Sequence, residues 1–339
     1  MAPSNTAAWL TEVQKPLEVK EAPYPEPKET EIVIENHAVA LNPCDFAFEM
    51  FGPALFPDLV IPAIVGEDVA GEVVAVGSSV TRFKAGDRVT AHASSAFQKY
   101  VNVNDHMAAA IPDSLSYEQA SVLPLTFTTA LIGLFHKDYL ALQHPSLDPK
   151  PTGKALLIWG GSTSVGSNAI QLAKAAGYEV YTTASPKNFD YVKKLGASHV
   201  FDYNSPTIKD DLVAAFKGKT TAGALAIGGI VPAQYDAIIE ACAAVVTNTA
   251  GSDFVALAMR PPDNLPAGIK TNFINAVYLH KEKDLGYSLF TDYLSKALAA
   301  GTFTPAPPAE VIGSGLESIQ KGLEMIPAGV SAKKLVVKV

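Results

Sequence analysis

The second half of the chain alternates between short apolar runs and runs in which apolar residues recur with helical spacing. Residues 155–159 form a continuous apolar run, and residues 167–176 carry apolar side chains at the period of a helix. A second strand-like run covers residues 179–183, a second helical run covers residues 188–195, and a third strand-like run covers residues 199–201. Strands that alternate with helices at this spacing predict βαβ units and a parallel sheet.

A glycine-rich turn joins the first of these strands to the first helix. Residues 159–166 read Trp-Gly-Gly-Ser-Thr-Ser-Val-Gly, so the apolar run ends at two glycines and continues into the helix. Such a turn presents backbone N–H groups and the positive end of a helix dipole, a combination that binds a pyrophosphate. The spacing is not a strict G-x-G-x-x-G, because Ser162 and Ser164 stand where further glycines would be. A Gly-Ser loop without a nucleotide is the alternative, and the strand–helix repeat favours the nucleotide site.

The residues after the second strand distinguish NADP(H) from NAD(H). An NAD site usually has Asp or Glu there to bind the ribose 2′-OH. Here residues 180–188 read Val-Tyr-Thr-Thr-Ala-Ser-Pro-Lys-Asn, without a carboxylate. A hydroxyl from Ser185 and an ammonium from Lys187 suit a 2′-phosphate, and Tyr203, after the third strand, is placed to stack on adenine or reach the phosphate. NADPH is therefore the predicted cofactor, although Ser185 and Asn188 are equally suited to helix capping.

The first third of the chain has another pattern. Residues 31–41, 69–76 and 87–91 are strand-like and are separated by glycines and prolines, which predicts a small, turn-rich β-domain. Residues 114–136 become helical, and residues 143–153, with three prolines, predict a loop before the parallel sheet. The predicted fold class is α/β, with a doubly wound parallel sheet and a separate β-domain.

Composition and charge narrow the possible partners. The 339 residues suggest about two domains. A net charge of −8 without a basic stripe argues against nucleic acid, and the lack of a long apolar run or a signal pattern argues against a membrane partner. Only two cysteines, Cys44 and Cys242, are present, which favours a reducing compartment. We therefore predict a cytoplasmic enzyme.

Several motifs together resemble the medium-chain dehydrogenase/reductase superfamily. Residues 66–77 read Gly-Glu-Asp-Val-Ala-Gly-Glu-Val-Val-Ala-Val-Gly, followed by Gly-Asp-Arg-Val at 86–89. Residues 42–45, Asn-Pro-Cys-Asp, are similar to the Asn-Pro-x-Asp of its quinone-reductase-like branch. The turn at 159–166 and the tail at 329–337 resemble the fungal group that includes trans-acting enoyl reductases of polyketide pathways, in secondary metabolism, and CipB/ToxD-type oxidoreductases.

The resemblance covers nearly the whole chain and implies two domains. One is a GroES-like domain of residues 1–125 completed by residues 290–339. The other is a Rossmann NADP-binding domain of residues 126–289.

The positions of the zinc ligands in this superfamily hold other residues. In zinc-dependent members the first ligand is a Cys three residues before the motif's Asp, where this chain has Asn42. The second ligand is the His of Gly-His-Glu, where this chain has Glu67. No cysteine lies between Cys44 and Cys242, so the four-cysteine lobe for structural zinc is missing. The sequence therefore predicts a zinc-free protein.

A zinc-free reductase suits an acceptor that is already electrophilic. The predicted reaction is NADPH-dependent reduction of an activated C=C bond, in an enone or enoyl thioester, by hydride transfer. A quinone or carbonyl reductase on the same scaffold is one alternative, and a non-catalytic NADPH-binding protein is another.

The resemblance also implies roles for particular residues. Residues 123–126 resemble a segment that enters the cleft, and the hydroxyl of Thr126 or Thr129 is suited to hydrogen-bond the carboxamide or the substrate carbonyl, with helix capping as the alternative. Thr126 is the catalytic candidate. Asp45 is equally suited to capping. The implied cofactor contacts are Pro43, Cys44 and Asp45 on the nicotinamide side, Ser162, Thr163, Ser164 and Val165 in the phosphate turn, Ser185, Lys187, Asn188 and Tyr203 around the 2′-phosphate and adenosine, Ala250 and Gly251 at a strand end beside the nicotinamide, and Val330 and Ser331 in the tail.

The substrate is predicted to be a small apolar molecule, free or attached to a carrier. Residues 50–59 and 272–279 contain the apolar and aromatic side chains expected in the wall of its cleft, with a place in the core or in an interface as the alternative. Enoyl-reductase relatives often carry Trp-Lys after the motif's Asp, whereas this chain has Phe46-Ala47, which weakens the case for a carrier-bound thioester. The strand-like residues 272–279 pair across a dimer in many members of the superfamily, but fungal enoyl reductases tend to be monomeric. Both a monomer and a homodimer are left open.

Overall fold

The computed structural model describes residues 4–228, 234–262 and 264–339, which form two compact units. The first unit contains the chain up to Leu125 together with Glu282–Gly301 and Pro305–Val339. The second contains Thr126–Lys281 and Thr302–Thr304. The helical stretch after Glu282 belongs to the first unit because it packs there: the Tyr287 hydroxyl, for example, donates to Asp105 over 2.7 Å. The predicted boundary at residues 289/290 falls inside this stretch.

The described residues form a series of β-strands and helices along the chain. The strands are β1 (Asn5–Leu10), β2 (Glu18–Ala22), β3 (Glu31–Ala40), β4 (Ala63–Ile64), β5 (Asp68–Val76), β6 (Arg88–His92), β7 (Tyr100–Asn104), β8 (Ala108–Ala110), β9 (Ala155–Trp159), β10 (Glu179–Ala184), β11 (His199–Asp202), β12 (Thr220–Ile227), β13 (Ala250–Gly251), β14 (Phe254–Ala258), β15 (Lys270–Phe273), β16 (Ala309–Ser314) and β17 (Lys334–Lys338). The helices are α1 (Pro43–Phe51), α2 (Tyr117–Ala120), α3 (Pro124–Phe135), α4 (Ser164–Ala175), α5 (Phe189–Leu195), α6 (Ile208–Ala215), α7 (Tyr235–Thr247), α8 (Lys283–Leu285), α9 (Ser295–Ala299) and α10 (Ser318–Met325), with a π-helix, Gly286–Leu294, between α8 and α9.

The first unit is built on β-sheets, as the turn-rich sequence predicts. A three-stranded sheet has the order β2-β1-β4, and a larger mixed sheet has the order β16-β17-β3-β5-β6-β8 with β7 also paired to β3. Strand β17 pairs antiparallel with β3, so the sheet combines strands from both ends of the chain. This is the predicted β-domain, and its place in the chain matches the GroES-like domain that the resemblance implies.

The second unit contains a parallel sheet in the order β11-β10-β9-β12-β14-β15. Numbered from β9, with the two-residue strand β13 that pairs with β12 left out, this is the 3-2-1-4-5-6 order of the Rossmann fold. All five residues of β9 are buried, as expected for a central strand of a parallel sheet that is covered on both faces. The predicted Rossmann fold is confirmed.

Several predicted boundaries shift for identifiable reasons. Helix α4 begins at Ser164 rather than at residue 167, because the Thr163 hydroxyl accepts the Gly166 N–H at 3.0 Å and caps the helix. The predicted helical stretch 114–136 is two helices, and the second begins at Pro124, a residue that favours the first turn. The strand predicted over 272–279 is wrong beyond Phe273, because the Asn275 side chain accepts the Val277 N–H and starts a 3₁₀ turn.

Two further predictions concern the lack of a membrane partner and the reducing compartment in which the protein works. The described residues contain no helix that is long and apolar enough to cross a membrane. Cys44 and Cys242 are both free thiols. The cytoplasmic location stays a prediction.

Candidate active site

The glycine-rich turn lies at the carboxyl end of β9, where the strand order of the parallel sheet reverses. Gly160 has φ +87°, a backbone conformation that favours glycine. A Cβ on Gly166 would collide with the carbonyl oxygen of Gly160, so the turn and the start of α4 approach too closely for a side chain. This close approach is what a dinucleotide-binding turn requires of its glycines.

The turn is fixed to the neighbouring strand β10. The Gly160 N–H donates to the Thr183 hydroxyl over 3.0 Å, and the Gly161 N–H donates to the Thr183 carbonyl over 2.9 Å. The residues that follow, 162–165, are half-buried and contain the N-terminus of α4. The first turn of a helix leaves N–H groups without intrahelical partners, so the segment is suited to a phosphate.

The predicted 2′-phosphate residues lie beside this turn, because β10 is the neighbour of β9. Ser185 directly follows β10, and the Asn188 amide donates to its hydroxyl over 3.3 Å. Lys187 is exposed and forms no ion pair in the described part of the chain. Tyr203 is 43% exposed after β11. The carboxylate of Asp202 accepts hydrogen bonds from the backbone N–H of Asn204 at 2.9 Å and from its side-chain amide at 3.0 Å. Asp202 therefore stabilises the local turn.

Thr126 is connected to the helix that carries the phosphate turn. The Asn168 side-chain amide donates to the Thr126 hydroxyl oxygen over 3.0 Å and to the Ser164 carbonyl over 2.9 Å. Thr126 and Asn168 are both buried. Sequence reasoning did not identify this pair, because the two residues are 42 positions apart.

The prediction that Ala250 and Gly251 end a strand beside the nicotinamide is wrong. The apolar residues before them belong to helix α7, and β13 pairs with Thr220 and Thr221 at the amino end of β12. They therefore lie at the edge of the parallel sheet opposite to the phosphate turn. The residues that do follow the carboxyl ends of β12 and β14 are Gly228 and Met259, which sequence reasoning missed.

A second polar cluster lies in the first unit at the start of α1. Asn42 precedes the helix, and its backbone N–H donates to the buried Asp45 carboxylate over 2.7 Å. Asp45 therefore caps α1, which was the alternative role. Burial raises the pKa of Asp45 well above its ordinary value, and the nearby Glu67 carboxylate raises it further. Burial likewise raises the pKa of the Cys44 thiol.

The Lys334 ammonium lies within this cluster. It bonds to the Asn42 side-chain oxygen and lies 3.3 Å from the Asp68 carboxylate, and the side chains of Lys334 and Asp68 are 4% and 0% exposed. Asp68 also accepts the Asn42 amide at 2.9 Å and the Leu125 N–H at 2.6 Å. Glu67, the next residue, contacts the buried His92 ring with 2.9 Å between Oε2 and Nε2. No local sequence pattern links Lys334 to Asn42, which are 292 positions apart.

The remaining predicted residues lie in two other places. Val330 and Ser331 line an open cavity of about 360 Å³ in the first unit, and Val330 is half-exposed. The predicted apolar cleft residues Phe51 and Leu55 are exposed in the first unit, as are Phe273 and Tyr278 in the second. Ile274 is instead buried, 4% exposed, which agrees with the alternative that it is a core residue.

The comparisons with known proteins agree with this architecture. Residues 28–113 match the alcohol dehydrogenase GroES-like domain, and residues 164–259 match the zinc-binding dehydrogenase family. The chain is 54% identical to dehydrogenase azaJ of Aspergillus niger over 99% of both chains. It is 38% identical to trans-enoyl reductase himH of Aspergillus japonicus over 99% of this chain and 97% of that protein. An alcohol dehydrogenase superfamily protein from Novosphingobium aromaticivorans shares the fold, with a TM-score of 0.80, 24% identity and 99% coverage of both chains.

A GroES-like domain and a dinucleotide-binding sheet with its glycine turn define a two-domain oxidoreductase of the kind that generally binds NAD(P). The chain belongs to the medium-chain dehydrogenase/reductase superfamily, with close relatives among fungal dehydrogenases and trans-enoyl reductases. The resemblance that the sequence motifs indicated is confirmed.

The zinc that the second family's description implies does not fit the residues present. The two ligand positions hold Asn42, whose amide is a poor zinc ligand, and Glu67, which is paired with His92. The Lys334 ammonium bonds directly to Asn42 and would repel a divalent cation. The described residues contain no group of three or more His, Cys, Asp or Glu side chains placed to hold a metal.

Proposed function

We propose that the chain is a zinc-independent, NADPH-dependent reductase of an activated C=C bond in an apolar enone or enoyl thioester. The observation that carries the proposal is the end of β10, where Ser185 and Lys187 offer a hydroxyl and an ammonium beside the phosphate turn, without a carboxylate. The misfit of Asn42 and Glu67 to zinc supports an acceptor that does not need a Lewis acid. The printed name of the relative himH supports reduction of an enoyl group.

The proposed cofactor residues are those that the resemblance to the superfamily implies. The turn residues Ser162, Thr163, Ser164 and Val165 bind the pyrophosphate through their N–H groups and the α4 dipole. The second set, which binds the 2′-phosphate and adenosine, consists of Ser185, Lys187, Asn188 and Tyr203. The residues proposed beside the nicotinamide are Pro43 and Cys44, with Asp45 acting through its cap, and Val330 and Ser331 are proposed as further contacts on the resemblance.

The bound cofactor supplies the hydride, and the protein's contribution is orientation and charge stabilisation. Thr126 is proposed to hydrogen-bond the carboxamide or the acceptor carbonyl, where negative charge develops during reduction. The Asn168 amide orients the Thr126 oxygen, since it donates both to that oxygen and to the carbonyl of Ser164, the first residue of α4. The acceptor carbon is electrophilic because it is conjugated with a carbonyl group, so the proposed reaction needs no metal to activate it.

The substrate is proposed to be apolar, because Phe51 and Leu55 are both half-exposed in the first unit. Ala47 stands where enoyl-reductase relatives often have a lysine, so a free substrate is favoured over a carrier-bound one. A cytoplasmic location and a monomeric or homodimeric state belong to the same proposal. A mass measurement in solution distinguishes the two assemblies.

The deciding experiment uses metal-stripped protein. NADPH and NADH are titrated by fluorescence, and NADPH oxidation is then followed with an enone, an enoyl thioester, a quinone and a ketone. Selective NADPH binding with turnover of the enone or the thioester is the expected result. Turnover of the quinone or ketone alone gives the chain a different acceptor, and activity that requires added zinc contradicts the metal-free proposal.

A further inference from the structure

The buried ammonium of Lys334 has no role among the proposed cofactor contacts. Its side chain is 4% exposed in a strand whose next three residues, Leu335–Val337, are apolar and buried. Removing a charge from water is unfavourable unless partners compensate, and a well-packed apolar side chain often stabilises such a place equally well. Simple packing therefore does not explain a lysine at this position.

The ammonium joins three separate segments of the first unit. It bonds to Asn42 before α1 and to Asp68 at the start of β5, while it belongs itself to β17. Asp68 also binds the Leu125 N–H at 2.6 Å. Asn42 is in turn the residue whose N–H the Asp45 cap accepts. One positive charge thus fixes the start of α1, which carries Pro43 and Cys44 as its first two residues.

We propose that Lys334 is a positioning residue for the reduction, whose ammonium holds Asn42 and Asp68 and thereby sets the place of Pro43 and Cys44. The Lys334 ammonium bonds to the side-chain oxygen of Asn42, the residue at the first zinc-ligand position. An internal cation thus organises this segment. The inference rests on the proposed function, because positioning matters only if Pro43 and Cys44 contact the nicotinamide.

The test separates positioning from mere charge compensation. Lys334→Met alone leaves the Asp68 carboxylate buried without its cation and is expected to lower the melting temperature. The double variant Lys334→Met/Asp68→Asn removes both charges and is expected to recover the melting temperature. Its NADPH Kd should stay within about threefold of wild type, because the phosphate contacts are intact. Its kcat should stay about tenfold or more below wild type, because the start of α1 is no longer fixed. Recovery of kcat together with stability overturns the proposal.

A second variant decides the question if the double variant does not fold. Asn42→Ser keeps a residue type that caps helices well but removes the side-chain contacts of Asn42 with Lys334 and Asp68, and it leaves the Lys334–Asp68 ion pair in place. We expect a lowered kcat at an unchanged NADPH Kd, and a wild-type kcat overturns the proposal. Lys338→Met is the matched control, because Lys338 lies in the same strand as Lys334, is 51% exposed and pairs with Glu118. A wild-type protein that neither binds NADPH nor reduces an acceptor refutes the proposed function itself, which the variants alone would not do.

Discussion

Cofactor selectivity is predicted to depend on the side chain at residue 185. We consider Ser185→Asp, which places a carboxylate directly after β10, where the 2′-phosphate of NADPH is proposed to bind. NADPH should bind more weakly, because like charges then face each other. NADH should bind as well as before or better, because a carboxylate at this strand end accepts the ribose hydroxyls.

The magnitude follows from the geometry of the site. Ser185 is half-buried and Lys187 is exposed, so the effective dielectric constant is close to that of water. Two unit charges about 5 Å apart then repel by about 1 kcal/mol, and a phosphate monoester carries about −1.5 to −2 charges at neutral pH. Loss of the hydroxyl's hydrogen bond to a charged group adds about 1.5 kcal/mol. The sum, about 3 kcal/mol, corresponds to a roughly 100-fold higher Kd for NADPH.

The assay is the fluorescence titration of both nucleotides at two salt concentrations. The NADPH penalty should shrink at high salt, since the site is exposed to solvent. Ser198→Asp is the matched control, because Ser198 is exposed and lies directly before β11. It is therefore at the amino ends of the strands, whereas Ser185 is at their carboxyl ends. If Ser185→Asp leaves the ratio of NADPH to NADH affinity at its wild-type value, the 2′-phosphate does not bind at the end of β10 and the reasoning is refuted.

Three further predictions concern the turn, the thiol and the buried amide. Gly166→Ala should abolish NADPH binding and lower the melting temperature, because its Cβ meets the Gly160 carbonyl; binding at wild-type affinity would contradict the close approach. Cys44 should react with iodoacetamide more slowly than glutathione does at pH 7.5, because its raised pKa leaves less thiolate. Mass spectrometry after timed quenching measures the alkylation rate, and a rate equal to that of glutathione counts against burial of the thiol. Asn168→Ala and Thr126→Val should each lower kcat. The loss of activation free energy in the double variant should be smaller than the sum of the two single losses, because the two side chains act through one hydrogen bond. Additive losses in this double-mutant cycle would show that they act separately.

The parallel sheet was predictable because its signal is local. The central strand β9 is buried on both faces and is a continuous apolar run. Strands β9, β10 and β11 all lie within a residue or so of their predicted bounds. The same property explains the error at Ala250. Helix α7 buries so many of its residues that its apolar end, Val245 and Val246, has the composition of a strand. Short apolar runs do not distinguish a buried helix from a strand.

The polar cluster of the first unit was not predictable because its signal is non-local. The motif at 42–45 indicated that a zinc ligand is replaced by Asn42. It did not indicate that the ammonium of Lys334 bonds to this residue. Only the pairing of β17 with β3 brings Lys334 to Asn42. The capping of α1 by Asp45, in contrast, joins residues three positions apart, and the sequence did offer that role as an alternative.

The pairing of β17 with β3 has a consequence for how the chain is made. The mixed sheet of the first unit cannot be completed until residues 334–338 have been synthesised, although β3 appears near the beginning. The strands of the parallel sheet, in contrast, all lie between Ala155 and Phe273. On the ribosome, the second unit therefore has all of its strands first, and the unit that begins the chain is the last to acquire its full set. A pause in translation near residue 300 would expose the edge of β3 that β17 later covers, so the early β-strands depend on the late ones for protection from mispairing.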